Sequence, residues 1–237
     1  MGNQLSFFDF EECWDTFVLH DDWEGDVDTF RWVVTASDSG SALVGDATKG
    51  ILTILPSDGS VGDNDETYIS SVNELFLFAA GKPMTARALI QYTEINTDDA
   101  NIIFGFMNAA VADSIGDAGA GPRATGSLAV IYKVDGGTVW RCQSRNGSEV
   151  TDSISTTTAG GSAWTTLEII VHDYTTTRAQ ITYKVDGVFL KDSNNVVIKH
   201  TLLVAAATEM DLVIGVKNGD TTLETLLVDK IMGKQLR

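Results

Sequence analysis

The sequence predicts one all-β domain, a two-sheet antiparallel sandwich of the jelly-roll kind. Three observations predict it. Apolar and polar residues alternate with a period of two in about a dozen segments, turn-forming pairs separate several of these segments, and few segments have helical periodicity. The 237-residue chain is 43% hydrophobic, which is enough to bury a core between two sheets.

The segment from Arg178 to Val185 shows the alternation most clearly. Ala179, Ile181 and Tyr183 share one face, and the residues between them are polar. This pattern is typical of a strand with one buried side and one solvent-exposed side. Comparable segments predict strands over 30–36, 50–55, 66–72, 84–94, 101–107, 127–134, 138–145, 164–172, 188–191, 210–217 and 224–231.

Three short turn sequences punctuate these strands. Asp135-Gly136, Asp186-Gly187 and Asn218-Gly219 each lie between two predicted strands. Aspartate or asparagine followed by glycine tolerates the positive φ angles of tight turns, so we expect a hairpin at each of them. Two of the three belong to a repeated pentapeptide, Tyr-Lys-Val-Asp-Gly, which we interpret as the same kind of hairpin occurring twice.

Other stretches lie outside the strand pattern. Residues 108–115 are predicted to form one or two helical turns that end at Gly116. Residues 117–126 are rich in glycine and are expected to form a flexible loop, and residues 156–162 a second loop.

The first 23 residues mix aromatic and acidic side chains without a sustained strand or helix period. We therefore expect an N-terminal arm over residues 1–23 and the sandwich over residues 24–237. The arm either folds onto its own sandwich or anchors in a neighbouring subunit, because aromatic side chains supply large contact areas. The residues expected to bind such a partner are Phe7, Phe8, Phe10, Trp14 and Phe17.

Composition argues against several classes of partner. The formal net charge of −17, from 33 acidic and 16 basic residues, disfavours binding to nucleic acid and to anionic membranes. The N-terminus does not have the pattern of a signal peptide, and no apolar run is long enough to span a membrane. We therefore expect a soluble protein made in a cytoplasm. Its two cysteines make no disulfide framework, and Cys142 is expected to be a small core residue.

No catalytic or metal-binding pattern is recognisable in the sequence. Sandwich glycosidases place two carboxylates on one strand face with the spacing Glu-x-Asp-x-Glu, which is missing here. The acidic segment 58–66 has oxygen ligands suited to calcium but lacks the helix-flanked twelve-residue pattern, so we expect a solvated loop. His172 is expected to be a sheet residue. Trp32, Trp140 and Trp164 are expected in the core and not as a platform for stacking sugars. The sequence thus predicts no cofactor, no metal site and no enzymatic activity.

Several segments resemble known proteins. Residues 76–92 carry an apolar run and a Gly-Lys-Pro turn that lead into a long strand, and with residues 101–107 they resemble a pattern in virion proteins of tailed phages. Residues 183–190 resemble the Val-Asp-Gly hairpin of concanavalin A-like and laminin-G-like sandwiches, and residues 226–231 are similar to the closing strand of those folds. The likeness extends over roughly residues 25–232 in the same order.

This resemblance implies a decoration, or cement, protein on the exterior of a phage capsid. Such a protein binds the major capsid protein, forms a homo-oligomer, here expected to be a trimer, and stabilises the shell by bridging capsid subunits. Virion assembly takes place in the host cytoplasm. The acidic surface suits the outside of a DNA-filled shell. The lectin-like part of the resemblance implies instead a carbohydrate-binding module of a phage tail or fibre. The resemblance implies no catalytic residues.

Overall fold

Alternation of apolar and polar residues produces strands throughout the part of the chain that the computed structural model describes. That part comprises residues 15–45, 50–94, 99–160, 162–204 and 206–237, without the side chains of Asp173 and Tyr174. It contains nineteen strands and no helix, and so no helix long and apolar enough to cross a membrane.

The strands, in chain order, are β1 Thr16–Asp21, β2 Trp32–Ala36, β3 Ser39–Val44, β4 Leu52–Ser57, β5 Glu66–Ser71, β6 Phe76–Phe78, β7 Met84–Thr93, β8 Asn101–Met107, β9 Ile115–Gly116, β10 Gly121–Pro122, β11 Leu128–Lys133, β12 Val139–Asn146, β13 Glu149–Thr158, β14 Thr165–Thr175, β15 Arg178–Val185, β16 Val188–Phe189, β17 Lys199–Leu203, β18 Thr208–Lys217 and β19 Thr225–Leu236.

These strands form two antiparallel sheets. Sheet A has nine strands in the order β16-β15-β14-β7-β19-β4-β3, with β1 also paired to β19 and β17 to β15. Sheet B has eight strands in the order β13-β12-β11-β8-β18-β5-β2, with β6 also paired to β18. The short strands β9 and β10 pair only with each other among the described residues. The predicted two-sheet antiparallel sandwich is confirmed.

The main core lies between the two sheets. In sheet B, the core side chains of β8 are Ile102, Phe104 and Phe106, and sheet A contributes Ile90 and Leu167 among others. All five are completely buried. Burial of this apolar surface is the main stabilising contribution, at roughly 25 cal/mol per Å².

Every strand predicted from the alternation is present, although 188–191 shortens to β16. The strands that the pattern did not reveal are β1, β3, β6, β9, β10, β13 and β17. Most of them are short, and β13 is rich in serine and threonine because it lies at the edge of sheet B. The loop predicted from residue 156 therefore begins later, since β13 continues to Thr158.

The predicted helical turns over 108–115 are wrong. Residues 111–114 form a turn in which the main-chain NH of Ser114 bonds to the carbonyl of Val111, and Ile115 begins β9. The Ser114 hydroxyl also accepts a hydrogen bond from the Val111 NH at 2.9 Å. Serine side chains that bond to nearby main chain in this way compete with helix formation.

Two of the three predicted hairpins are confirmed and one is wrong. Asp135-Gly136 joins the paired strands β11 and β12, and Asp186-Gly187 joins β15 and β16. Asn218-Gly219 instead connects β18 of sheet B with β19 of sheet A, which do not pair. The buried Asn218 side chain donates a hydrogen bond to the Gly62 carbonyl and accepts one from the Glu224 NH. The asparagine therefore stabilises the connection between the two sheets and does not form a tight turn.

The predicted boundary of the arm at residue 23 also needs correction. Residues 16–21 form β1, which pairs with β19 from Thr16↔Leu236 to Asp21↔Ile231, and Trp23 is 1% exposed in the core. Residues 15–23 thus belong to the sandwich. The aromatic and acidic composition hid this strand because Phe17 and Leu19 are the only large apolar side chains on its inner face. Residues 1–14 lie outside the described part of the chain.

Candidate functional site

Sheet B buries side chains on its outer face as well as on its core face. Along β8, β11 and β18, residues that alternate with the core residues point away from sheet A. They form a second apolar cluster that includes Ile103, Val130, Tyr132 and Val213. Ile115 joins this cluster from residues 108–126, which we call the covering segment. The covering segment therefore lies over the middle of the outer face.

Lys217 fastens the covering segment to the sheet. Its side chain is completely buried, and its Nζ lies 2.8 Å from Asp113 Oδ1, 2.5 Å from Asp117 Oδ1 and 3.3 Å from Glu66 Oε2. Burial alone would lower the pKa of Lys217, but the bonds to Asp113 and Asp117 and the charge of Glu66 raise it above its usual value. The bond to Lys217 in turn lowers the pKa of Asp113.

A polar group of residues lies beside the covering segment, where the outer face continues across β11, β12 and β13. On β12, Arg141, Gln143 and Arg145 alternate with inward-facing residues such as Cys142. We define the arginine cluster as these three residues together with Tyr132 of β11, Asp152 of β13 and Arg123 of the covering segment. Strand pairing brings them together, since Tyr132 is opposite Arg141 and Gln143 is opposite Asp152.

Tyr132 and Asp152 form one half of the arginine cluster. The Tyr132 hydroxyl lies 2.9 Å from both carboxylate oxygens of Asp152. Burial, and then the neighbouring Asp152 charge, raise the pKa of Tyr132, so this hydroxyl stays protonated and donates to the carboxylate. The Arg141 guanidinium lies 5.8 Å from the centre of the Tyr132 ring, within the range of a cation–π contact.

Arg145 and Arg123 form the other half. Arg145 Nη1 donates to the main-chain carbonyl of Arg123 at 2.7 Å, and Nη2 donates to Gln143 Oε1 at 3.2 Å. Arg123 Nη2 donates to Asn108 Oδ1 at 2.8 Å. Burial, and then the positive charge of Arg145, lower the pKa of Arg123. Two cations are therefore held close together, and Arg145 is only 6% exposed.

Part of the hydrogen-bonding capacity of the three guanidinium groups is unused within the described part of the chain. The Nε atoms of Arg123, Arg141 and Arg145 are buried there without a hydrogen-bond partner. Arg123 and Arg141 are half-buried, so these are the two arginines that a ligand on the surface can contact. Guanidinium donors suit carboxylates and other planar or vicinal oxygen acceptors. Gln143, Tyr132 and Asp152 add an amide, a hydroxyl and an acceptor. This arrangement is able to bind a polar, oxygen-rich ligand.

A cavity among the described residues lies elsewhere, on the outer face of sheet A. Its volume is about 570 Å³, and its lining includes Thr85, Ile170, His172 and Lys234. His172 is a strand residue, as predicted, and its Nε2 lies 3.5 Å from the Thr182 hydroxyl. Among the described side chains, this long contact is the only hydrogen bond of the imidazole in the cavity. We therefore place the candidate site at the arginine cluster, in which hydrogen bonds hold every side chain except Arg141.

The residues predicted to bind a partner do not meet in the described structure. Phe7, Phe8, Phe10 and Trp14 lie outside the described residues. Phe17 packs edge-on against Phe76 of its own chain, with ring centres 5.5 Å apart, and carries Arg237 at 4.9 Å over its ring. Its predicted role as an anchor for another molecule stays a prediction.

The remaining sequence-based expectations have mixed outcomes. Trp32 and Trp140 are 1% exposed and lie in the core, as predicted, and Cys142 is a buried free thiol whose pKa is raised by burial. The prediction for Trp164 is wrong, because this side chain precedes β14 and is 39% exposed. In the acidic segment 58–66, Asp65 accepts a hydrogen bond from the Gly62 NH and Glu66 is buried beside Lys217.

Sequence reasoning did not find the arginine cluster. One signal for it was present, since Arg141, Gln143 and Arg145 alternate at period two within a predicted strand. Arg123 carried no such signal, because it lies in a stretch that was expected to be a flexible loop.

Comparison with known proteins establishes the fold class. No protein-family model matches the chain, and no curated protein matches it in sequence. Among solved structures, an endo-1,3-β-glucanase from Streptomyces sioyaensis matches with a TM-score of 0.60 at 14% identity, over 94% of this chain and 97% of that one. The carbohydrate recognition domain of Emp47p matches with a TM-score of 0.55 at 12% identity, over 91% and 93%.

An endo-β-1,4-glucuronan lyase from the fungus Trichoderma reesei also matches, with a TM-score of 0.54 at 12% identity, over 91% of this chain and 94% of that one. The chain thus has the concanavalin A-like jelly-roll fold, as its sequence predicted. At these identities the similarity concerns the fold alone.

Proposed function

We propose that the protein is a carbohydrate-binding module that holds its ligand at the arginine cluster. The observation that carries this proposal is the cluster itself. It brings together three guanidinium groups, an amide, a phenol and a carboxylate on one face of β11, β12 and β13 and on the covering segment beside them. Hydrogen bonds hold these groups except Arg141, which lies over the ring of Tyr132. Side chains that are ordered before binding lose less conformational entropy when the ligand arrives.

The shape of the surface also supports the proposal. The covering segment contributes Arg123 and lies beside β12 and β13 without covering them. A ligand bound on these two strands would therefore contact the covering segment along one of its sides. The similar structures named above include a carbohydrate recognition domain and two enzymes named for polysaccharides. Saccharide ligands are therefore compatible with this sandwich.

A binding screen tests the proposal. The full chain is passed over immobilised neutral and acidic polysaccharides, and the Kd of each interaction is measured. We expect binding to at least one polysaccharide, and a double variant Arg141→Ala, Gln143→Ala should lose it. The matched control is Arg87→Ala, since Arg87 is exposed on β7 of the other sheet. Absence of binding to every polysaccharide at millimolar concentration would refute a carbohydrate-binding role.

The proposed module binds without cleaving its ligand. Glycoside hydrolysis requires two carboxylates that flank one bond, whereas the arginine cluster contains one carboxylate, Asp152, which bonds to Tyr132. Two assays test this part of the proposal. Release of reducing ends reports hydrolysis, and formation of an unsaturated sugar product reports elimination. Turnover that disappears in an Asp152→Asn or Tyr132→Phe variant would make the protein an enzyme.

A second candidate function is capsid decoration, which exposed apolar side chains favour. Phe30 is 91% exposed and Leu43 is 63% exposed. Phe30 precedes β2 and Leu43 lies in β3, and these two strands are the edge strands on the same side of the two sheets. Val33 and Val34 of β2 are also exposed. Exposed apolar groups on an edge strand are typical of contacts with other proteins. The partners would be further copies, as a trimer, and a major capsid protein on the virion exterior.

Mass spectrometry of purified virions tests the decoration role, and a truncation tests the arm. Removing residues 1–14 leaves β1 intact, whereas a longer deletion removes a strand of sheet A. If Phe7, Phe8, Phe10 and Trp14 are the anchors, the truncated chain should fold with an unchanged circular dichroism spectrum and fail to bind capsids. Full binding by the truncated chain would contradict the anchor role.

A further inference from the structure

The arginine cluster concentrates positive charge in a strongly acidic protein. The formal net charge of the chain is −17, yet three guanidinium groups and one carboxylate share this surface. The local balance is thus three positive charges against one negative charge. Such an excess has to be held by specific packing, because like charges repel one another strongly at partly buried positions.

Within the cluster, Arg123 and Arg145 carry like charges and lie next to each other. The guanidinium of Arg145 contacts the main-chain carbonyl of Arg123 at 2.7 Å, so the two residues are immediate neighbours. Among the described residues, their guanidinium groups donate to neutral acceptors, namely a main-chain carbonyl and the amide oxygens of Gln143 and Asn108. Neutral acceptors satisfy the N–H groups without neutralising the charges.

Asp152 does not balance this excess. Both of its carboxylate oxygens bond to the Tyr132 hydroxyl, and Gln143 Nε2 contacts one of them at 3.5 Å. Asp152 is also separated from the covering segment by β12. It lies on the edge strand β13, where it pairs with Gln143 of β12. The Arg123–Arg145 pair therefore has no anionic side chain bonded to it among the described residues.

We infer that the ligand of the arginine cluster is a carboxylate-bearing saccharide, such as a chain of uronic acid residues. This inference rests on the proposed carbohydrate-binding function and specifies its substrate class. A carboxylate supplies the missing negative charge and accepts two parallel N–H bonds from one guanidinium. A neutral sugar would leave the repulsion between Arg123 and Arg145 in place.

The spacing on β12 favours a polymer over a single sugar. Arg141 and Arg145 are four residues apart on one strand, which separates their backbones by about 13 Å. That distance exceeds the length of one sugar ring, so a saccharide lying along β12 would place different sugar residues beside Arg141 and beside the Arg123–Arg145 pair. Nucleic acid also carries regularly spaced anions, so it is the competing ligand that the experiment has to distinguish.

The experiment compares a polyuronate with its own methyl ester. Esterification removes the carboxylate charges and keeps the sugar backbone, so the two polymers differ in the feature under test. Affinity for polygalacturonate and for its fully methylated form is measured by calorimetry, with dextran and single-stranded DNA as further probes. We expect the ester to bind at least tenfold more weakly, which corresponds to 1.4 kcal/mol or more. Binding of the acid should also weaken as salt is added.

Two variants identify the residues responsible. Arg141→Gln should weaken binding of the polyuronate at least fivefold and leave binding of the ester unchanged. Arg123→Gln should also weaken binding of the acid, while the free protein unfolds at the same or a higher temperature, because the repulsion with Arg145 is gone. Arg87→Gln is the control on sheet A. A purely structural role for Arg123 predicts the opposite change in melting temperature.

The outcomes separate this inference from the proposed function. Equal affinity for the acid and the ester, or binding of dextran alone, overturns the inference and leaves carbohydrate binding intact. Failure to bind any saccharide overturns both. Tighter binding of the DNA than of the polyuronate, lost in Arg141→Gln, also overturns the inference, since the cluster would then be a phosphate site.

Discussion

The Lys217 ammonium group bonds to Asp113 Oδ1 at 2.8 Å, although 104 residues separate them in the chain. The same ammonium lies 3.3 Å from Glu66 Oε2, and the side chains of Lys217 and Glu66 are 0% and 5% exposed. Lys217→Met leaves a buried carboxylate without its cation, so we expect the free energy of unfolding to fall by about 3 kcal/mol or more. Denaturant unfolding measures this change.

The control for that prediction is Asp113→Asn. The Asp113 side chain is 66% exposed, and exposed ion pairs contribute about 1 kcal/mol or less. Hydrogen exchange gives a second readout, because the Ile115 NH bonds to the Tyr68 hydroxyl and should exchange faster once the covering segment loosens. Equal stability of the Lys217→Met and Asp113→Asn variants would mean that Lys217 does not fasten the covering segment.

The buried imidazole of His200 predicts a loss of stability in acid. Its Nδ1 lies 3.0 Å from the hydroxyls of Tyr183 and Ser144, and its Nε2 lies 3.0 Å from that of Ser153. Burial lowers the pKa of His200 from 6.5 to about 4. Between these two pH values the unfolded chain binds a proton that the native protein does not, so the free energy of unfolding falls as the pH drops, by roughly 3 kcal/mol in total.

The variant His200→Gln isolates this contribution. Its side chain still donates and accepts hydrogen bonds but does not titrate. Between pH 7 and pH 4, the wild type should lose roughly 3 kcal/mol more of its free energy of unfolding than the variant does. Urea unfolding at several pH values gives both curves. Parallel curves would show that His200 titrates in the native protein as it does in the unfolded chain.

Asp211 predicts a change of stability with pH in the opposite direction, over a pH range that overlaps that of His200. It is 7% exposed, and its Oδ1 accepts hydrogen bonds from the Glu74 NH at 2.9 Å and the Ser71 hydroxyl at 3.4 Å. Burial raises the pKa of Asp211 from 3.8 to about 6. The native protein therefore holds a proton that the unfolded chain has released, and the free energy of unfolding falls as the pH rises from about 4 to about 6.

Asp211→Asn keeps the accepting oxygen and removes the charge. At pH 7 this variant should be more stable than the wild type by roughly 1–3 kcal/mol, and at pH 4 the difference should largely vanish. Glu209→Gln, an exposed position on the same strand, is the control and should change little at either pH. A destabilised Asp211→Asn variant at pH 7 would show that the ionised carboxylate is favoured.

The repeated pentapeptide shows how far sequence alone can predict this protein. Both copies lead into turns, as expected, but Tyr183 lies in the main core and Tyr132 on the outer face of sheet B. Alternation shows which residues share a face and does not show which face meets the other sheet. The arginine cluster depends on that choice for Tyr132, Arg141 and Arg145. It also depends on the position of the covering segment. Contacts of Ile115 and Lys217 with residues distant in sequence set this position, so the local pattern of the sequence does not reveal it.

Gly187 and Gly219 follow similar residues in the sequence but are required for different reasons. Gly187 has a φ of +77°, after Asp186 at +50°, and a Cβ there would meet nothing within 4 Å. These two positive φ values are those of a type I′ turn. At Gly219 a Cβ would lie 2.1 Å from the Asp99 carbonyl oxygen, and φ is not in the left-handed region. Conformation thus requires the first glycine, and close packing requires the second.

Two substitutions at each glycine separate these causes. Gly187→Ala should cost about 1–2 kcal/mol, and Gly187→Asn should cost less, because asparagine adopts positive φ more readily. At position 219 the order should reverse, since asparagine is larger than alanine and both collide with main chain, at a cost of about 1–3 kcal/mol or more. Thermal unfolding of the four variants measures the order. If Gly219→Asn were more stable than Gly219→Ala, the crossover between β18 and β19 would contain a tight turn after all.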